Sequence, residues 1–173
     1  MAERQERTAP DAVGTRIGQS VLLHHAGDRE EARARFLVLW AELGEDGDPL
    51  HRCTLAHYLA DTQDDPADEL AWDLRALAAA EELAGDLAAG HAGAPAARAL
   101  YPSLHLNLAA DYAKLGRAEA AHGHLRLARA AAGALGDDPY GDGVRAAIRR
   151  LELRLEEDHG PAGGPWRPPR QRP

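Results

Sequence analysis

Cysteine, lysine and aromatic residues are all scarce in this chain. Its single cysteine, Cys53, excludes an intrachain disulfide. Aromatic residues make up 5% of the 173 residues, Val and Ile are few, and alanine dominates the apolar set. Since alanine is the best helix former and β-branched residues favour sheets, this composition predicts an all-α fold whose helices pack closely.

Long apolar runs and excess positive charge are missing as well. The longest strongly apolar stretch, residues 36–41, is far too short to cross a bilayer. The charged start, MAERQER, is unlike a signal peptide, so we expect a cytoplasmic protein without a membrane partner. The 28 acidic and 20 basic residues give a net charge of −8, which argues against nucleic acid as a partner.

The clearest pattern lies in residues 104–132, where apolar residues recur at helical spacing on both sides of Gly116. They are Leu104, Leu108, Tyr112 and Leu115 before the glycine, and Ala121, Leu125 and Ala128 after it. This pattern predicts two helices packed as a hairpin. Ala109 and Ala121 are small enough to let the two helices approach closely.

The same spacing occurs near the start of the chain. Gly27-x4-Ala32-x3-Phe36-x2-Leu39 matches Gly116-x4-Ala121-x3-Leu125-x2-Ala128. Together the two patterns resemble the tetratricopeptide repeat (TPR), and in particular small stand-alone members of that family from actinobacteria. The resemblance implies an α-solenoid of about three helical hairpins with a C-terminal capping helix. We expect this domain to span residues 10–158, between a disordered start (1–9) and a disordered Pro/Arg-rich tail (159–173).

Caps and breakers predict the boundaries of the first helices. Pro10 is expected at the first helical position, with Asp11 in the first turn. Residues 50–62 are predicted to form the third helix, which in a solenoid lies parallel beside the first. Asp65 is the expected N-cap of the fourth helix, with Pro66 as its first residue.

The middle pair of helices is less regular than its neighbours. Gln63 stands roughly where a turn glycine is expected. The apolar stripe of the fourth helix is predicted as Leu70, Leu74, Leu77 and Ala84. Additional residues then separate this pair from the last repeat, so we place a loop over 90–95 and begin that repeat at Pro102. Residues 133–143 are predicted as a turn-rich connector.

In the tetratricopeptide family the first helix of each pair lines a concave groove that holds a partner. The resemblance implies that the polar groove residues here are His24, His57, Asp61, Asn107 and Lys114. Family members that clamp a C-terminal carboxylate use several Lys, Arg and Asn residues, and only Asn107 and Lys114 fit in kind. We therefore expect a non-catalytic adaptor or regulatory module that binds a basic or mixed-charge segment of another protein.

A metal-binding or metal-dependent enzyme is a less favoured alternative. Cys53, His57 and Asp61 are spaced i, i+4, i+8 on one predicted helix face. Thiolate, imidazole and carboxylate are acceptable zinc ligands. These three positions, however, span roughly 12 Å of helix rise, and one straight helix supplies no oxyanion hole. We therefore expect no metal, no cofactor and no catalytic residues.

Self-association is the leading alternative to partner binding. The helix predicted over residues 144–158 carries an apolar stripe of Val144, Ile148, Leu151 and Leu155. Such a helix suits the end of a repeat stack. If the stripe packed against a second copy instead of the last hairpin, the protein would be a self-associating structural helical protein.

Four further side chains are assigned to the core or the surface. Trp40 and Trp72 lie on helix stripes, so they are expected in the core between hairpins and not as partner anchors. His122 and His124 stand two apart on one helix, so we expect them to face apart on the surface.

Overall fold

The computed structural model describes residues 11–88 and 94–158. Within these ranges the chain forms seven α-helices, one short 3-10 helix (Ala132–Ala134) and no strand. The helices are α1 (Ala12–His25), α2 (Arg29–Leu43), α3 (Pro49–Asp61), α4 (Pro66–Ala88), α5 (Ala94–Lys114), α6 (Ala118–Ala131) and α7 (Pro139–Asp158). The prediction of an all-α fold is confirmed for these residues. The predicted disordered ends lie outside them.

Consecutive helices pack against each other along the chain. Arg16, in the first half of α1, pairs with Glu42 near the end of α2 at 2.5 Å. Arg52, near the start of α3, pairs with Glu82 in the second half of α4 at 2.7 Å. Both pairs of helices are therefore antiparallel hairpins.

Helices α1 and α3 also contact each other, and they run in the same direction. Near their N-termini, His51 Nε2 lies 2.9 Å from Asp11 Oδ2. Near their C-termini, the rings of His24 and Tyr58 are 6.2 Å apart. Helices α5 and α7 are likewise in direct contact.

The core consists of three successive clusters, each shared by three helices. The first lies between α1, α2 and α3 and contains Ile17, Ala32, Phe36, Leu39, Leu55 and Leu59. The middle cluster lies between α3, α4 and α5 and contains Cys53, Ala56, Ala76, Ala79, Ala80 and Leu104. The third joins α5, α6 and α7 through Ala109, Ala121, Leu125, Ala128, Leu135, Val144, Ile148, Leu151 and Leu155. Helices α3 and α5 each contribute to two clusters.

The two hairpins with matching sequence patterns turn in the same way. Gly27 and Gly116 have positive φ angles of 94° and 69°, a conformation that favours glycine at the end of a helix. The N–H of the following residue, Asp28 or Arg117, donates to the carbonyl five positions earlier at 3.0 Å or 2.8 Å. The α3–α4 turn, with Gln63 in place of glycine, contains no residue with positive φ.

The N-cap predictions hold for one helix and are off by one residue for the other. Asp65 accepts the N–H two residues further on at 2.7 Å, and Pro66 begins α4, as predicted. Asp11 is the N-cap of α1 and not part of its first turn, since its Oδ1 accepts the Gly14 N–H at 2.8 Å. Pro10 lies outside the described residues.

The prediction that the last repeat starts at Pro102 is wrong. Helix α5 already begins at Ala94, and Pro102 is buried inside it. Leu100 and Tyr101 pack against the middle cluster, and Tyr101 Oη donates to a carbonyl of α4 at 3.3 Å. This packing stabilises helix upstream of the proline. Most of the loop predicted over 90–95 lies outside the described residues.

Helix α7 also begins earlier than predicted, at Pro139 instead of Val144. Asp138 Oδ1 accepts the Gly141 N–H at 2.7 Å and so caps the additional turn. The same Asp-Asp-Pro triplet precedes α4. The second half of the predicted connector is therefore helical.

The buried face of α4 differs from the predicted leucine stripe. Leu74 is 42% exposed. The buried positions are Leu70, Asp73, Ala76, Ala79 and Ala80. The small alanine side chains let α4 pack closely against α3 and α5. The buried face of α4 is therefore shifted by one position from the predicted stripe, and it includes the carboxyl group of Asp73.

The left-handed turn at Gly116 can be tested with two identical substitutions. Gly116→Ala should lower the free energy of unfolding by about 1–2 kcal/mol, since a Cβ disfavours this conformation. Gly123→Ala is the control, because a Cβ there would meet nothing closer than 3.9 Å. It should stabilise α6 by about 0.5–1 kcal/mol through helix propensity. Urea unfolding measures both, and effects of the same sign would contradict the turn geometry.

Candidate functional site

Helices α1, α3, α5 and α7 stand side by side, and we call the surface that they form the odd-helix face. Direct contacts join α1 to α3 and α5 to α7. Between α3 and α5, the Asn107 side-chain amide lies 3.2 Å from His57 Nδ1. All five residues predicted to line a groove belong to these helices: His24, His57, Asp61, Asn107 and Lys114.

His57 stands at the centre of the polar contacts on this face. Its ring is half-buried, and its Nδ1 is 3.9 Å from a carboxylate oxygen of Asp73 on α4. Burial alone would lower the pKa of His57, but its pairing with Asp73 and the charge of Asp61 outweigh burial and raise it. The imidazole therefore carries more positive charge near neutral pH than an exposed histidine does.

Beneath His57 and Asn107 lies a pair of buried carboxyl groups. Asp73 on α4 and Asp111 on α5 are each 1% exposed. One oxygen of each, Asp73 Oδ1 and Asp111 Oδ2, has no hydrogen-bond partner. Burial, and then the charges of Asp73 and Glu69, raise the pKa of Asp111. This is the strongest electrostatic perturbation at the odd-helix face.

Lys114 covers the outer side of the carboxyl pair. Its Nζ is 2.6 Å from Glu69 and 3.4 Å from Asp111 Oδ1, while 45% of its side chain stays exposed. Burial would lower the pKa of Lys114, but Glu69 and Asp111 together raise it. The lysine is thus held as a counter-ion and still reaches solvent.

Asp61 and His24 extend the polar contacts towards α1. Asp61 is exposed, but desolvation by the surrounding helices raises its pKa, and His57 and His24 oppose that rise. His24 is half-buried against the Tyr58 ring. Among the five predicted residues, His57 and Asn107 are in direct contact, and Lys114 contacts the buried carboxyl pair through Asp111. His24 Nδ1 is buried and has no hydrogen-bond partner among the described residues.

Sequence reasoning missed three carboxyl groups that face His57 or Lys114: Glu69, Asp73 and Asp111. One signal was present. Asp111 interrupts the apolar spacing of Leu104, Leu108 and Tyr112 on the buried side of α5. A charged residue in an apolar stripe indicates a buried partner.

Cys53 does not share the environment of His57 and Asp61. It is buried in the middle cluster at 1% exposure, whereas Asp61 is exposed. Burial, followed by the charge of Asp73, raises the pKa of the Cys53 thiol to about 12, so the thiol stays protonated near neutral pH. In the part of the chain that the structure describes, no three His, Cys, Asp or Glu residues are arranged to hold a metal ion.

His124 is not the bare surface residue that the sequence predicted. Its Nδ1 lies 3.1 Å from His105 Nδ1, and its ring stacks on Tyr112 at 5.3 Å between centroids. Burial, and for His105 also the facing His124, lowers the pKa of both imidazoles. Both imidazoles are therefore uncharged near pH 7, and their contact joins α5 to α6.

The two tryptophans pack between hairpins, as predicted. Trp40 on α2 and Trp72 on α4 meet edge to face with ring centroids 5.1 Å apart, and both are half-buried. The guanidinium of Arg75 lies 4.7 Å from the Trp72 ring centre. Each ring is thus occupied within the chain.

An open cleft lies between α5 and α7 on the odd-helix face. It comprises two adjoining hollows of about 380 and 280 Å³ that share Ala110, Leu151 and Arg154. Its floor and rim include Leu106, Ala110, Leu151, Lys114, Arg150, Arg154 and Glu157. Lys114 lines this cleft and also contacts the buried carboxyl pair, so the two features adjoin. The cleft was not predicted.

The apolar stripe of α7 is buried within the chain. Its four members, Val144, Ile148, Leu151 and Leu155, are at most 8% exposed and belong to the third cluster. The surface on which the self-association hypothesis depended is therefore covered by α5 and α6.

Comparison of the chain with family models, curated proteins and solved structures gives no match. The likeness to the tetratricopeptide repeat therefore depends on the residues and turns of the hairpins themselves. No helix in residues 11–88 or 94–158 has both the length and the apolar character needed to cross a membrane.

The electrostatic role of His57 predicts a pH-dependent cost for His57→Ala. A raised folded pKa means that the stability from the imidazolium is fully present below the ordinary pKa near 6.5 and is lost as pH rises through the folded value. His57→Ala should therefore cost about 1–2 kcal/mol at pH 6 and clearly less at pH 9. Urea unfolding at both pH values measures this difference.

The exposed neighbour residue His25 provides the control. His25→Ala should change stability by less than about 0.5 kcal/mol at either pH. A His57→Ala cost that is the same at pH 6 and pH 9 would contradict the proposed charge on His57.

Proposed function

We propose that this chain is a tetratricopeptide-like interaction module that holds a segment of another protein along the odd-helix face and has no catalytic role. The shared turn geometry at Gly27 and Gly116 supports a repeated helical pair. The three successive core clusters support a stack in which each pair contacts its neighbours. In such a stack the first helices of the pairs are left with an open surface.

The α5–α7 cleft is the observation that carries this proposal. Leu106 and Ala110 in its floor are partly exposed, and two arginines stand at its rim. Neither Arg150 nor Arg154 forms an ion pair with another described residue. In a chain of net charge −8, such a group of unpaired arginines favours a partner that supplies carboxylates.

The odd-helix face carries carboxylates as well as arginines. Asp61 is exposed at the end of α3. Glu69 pairs with Lys114 at 2.6 Å and so lies beside the cleft that Lys114 lines. The face therefore suits a mixed-charge segment with aliphatic side chains.

Recognition also fits the state of the polar groups better than catalysis does. His57 Nδ1 lies 3.2 Å from the Asn107 side-chain amide, and Lys114 is paired with Glu69 and Asp111. The Cys53 thiol is buried and protonated. These groups fix the shape and charge of a surface. Self-association through α7 is less well supported, because its apolar stripe is already buried.

The cleft can be tested by a charge reversal with a matched control on the same helix. Arg154→Glu places a carboxylate in the cleft, whereas Arg149→Glu makes the same change facing α6. With the immobilised protein in extracts of the native cell, quantitative mass spectrometry should show a partner recovered about tenfold less with Arg154→Glu. Tenfold corresponds to about 1.4 kcal/mol of binding free energy.

The control variant should recover that partner as the wild type does, and both variants should melt within about 2 °C of the wild type, since both arginines are exposed. If all three proteins recover the same set of proteins in the same amounts, the cleft is not the binding site and the proposal fails.

A further inference from the structure

The carboxyl groups of Asp73 and Asp111 form an unusual contact between α4 and α5. Both are 1% exposed, and they lie within hydrogen-bonding range of each other. Asp111 Oδ2 has no hydrogen-bond partner among the described residues, and the nearest donor that faces Asp73 Oδ1 is His57 Nδ1 at 3.9 Å, beyond hydrogen-bond distance. Two ionised carboxylates offer only acceptors, so such a contact is repulsive and lacks a hydrogen.

The surrounding charges do not compensate for two ionised carboxylates at this place. Helix α3 contributes His57 and Asp61 and the protonated thiol of Cys53, α4 contributes Glu69, and α5 contributes Lys114. From α1, His24 acts on Asp61. Even with His24, His57 and Lys114 all charged, the carboxyl groups outnumber the cations.

We propose that Asp73 and Asp111 share one proton in the folded protein at neutral pH, and that loss of this proton loosens the α4–α5 contact. Any effect of this change on partner binding depends on the proposed function, whereas the shared proton and the loosened contact do not. While the proton is present, one carboxyl group donates to the other and the missing hydrogen bond is made.

Loss of the proton to solvent changes the contact in a defined way. It leaves two negative charges facing each other at buried positions, and they are relieved only if the helices separate or water enters. Asn107 and Lys114 lie on α5 on either side of Asp111, so a shift of α5 would move both relative to His57. Burial and the neighbouring carboxylates raise the pKa of Asp111 to about 8, which places the change just above neutral pH.

Thermal unfolding as a function of pH tests the shared proton. An unfolded aspartate releases its proton near pH 4, so between about pH 4 and 8 the folded state holds one more proton than the unfolded state. Stability therefore falls as pH rises through this window. From pH 6 to 8, the wild-type Tm should fall by roughly 3–5 °C per pH unit relative to Asp111→Asn, whose amide donates without titrating.

Asp68→Asn is the matched control. Asp68 is exposed on α4, so this variant should keep the wild-type slope. Wild-type and Asp111→Asn proteins with equal slopes would overturn the proposal. Carbon-13 NMR of the wild-type aspartate carboxyls gives an independent readout and does not require any variant to fold. One carboxyl titrating above pH 6.5 is expected, and none titrating above pH 5 would also overturn it.

Hydrogen exchange tests the loosening itself. After correction for intrinsic exchange rates, α5 amides around Asn107 and Asp111 should exchange at least tenfold faster at pH 9 than at pH 6. The same amides in Asp111→Asn should change less than threefold. Unchanged protection in the wild type would overturn the second half of the proposal. Thermal unfolding, NMR and hydrogen exchange all use the protein without a partner, so their results stay interpretable even if the cleft experiment fails.

Discussion

In the middle of the protein, α4 packs closely against α3 and α5 because the side chains between these helices are mostly alanines. Ala56, Ala76, Ala79 and Ala80 have no exposed surface. Each alanine buries little apolar area, so the stability of this cluster depends on tight contact along the helices and not on large side chains. The close contact also magnifies the cost of any polar group that lies between the helices without a partner.

That constraint connects the core to the surface. Asp73 and Asp111 lie in the tight α4–α5 contact, and the groups directly above them are His57, Asn107 and Lys114. Each of these side chains is oriented by a contact with a neighbouring helix. Buried carboxyl groups therefore influence the charge of two side chains on the odd-helix face, His57 and Lys114.

The parts of the fold that local chemistry decides could be predicted from the sequence. Periodic apolar residues identified the helices, and Gly27 and Gly116 marked turns because few other residues adopt their backbone angles. The parts decided by packing could not. Pro102 is inside a helix because residues before it pack on α4, and Leu74 is exposed because alanines occupy the contact instead.

The same distinction applies to the site. A family resemblance was enough to choose helices α1, α3 and α5, and of the polar residues predicted on them His57 and Asn107 are in direct contact. It gave no indication that Asp73 lies opposite Asp111, because that contact depends on how two helices face each other. The α5–α7 cleft likewise depends on where α7 docks, and no local pattern specifies this.

The sharing of α3 and α5 between clusters has a consequence for truncation of the chain. Each cluster in the described residues contains side chains of three helices that follow one another, and α7 supplies the third helix of the last cluster. A chain cut after α6 would lack the α7 side chains that share a cluster with Leu125 and Ala128.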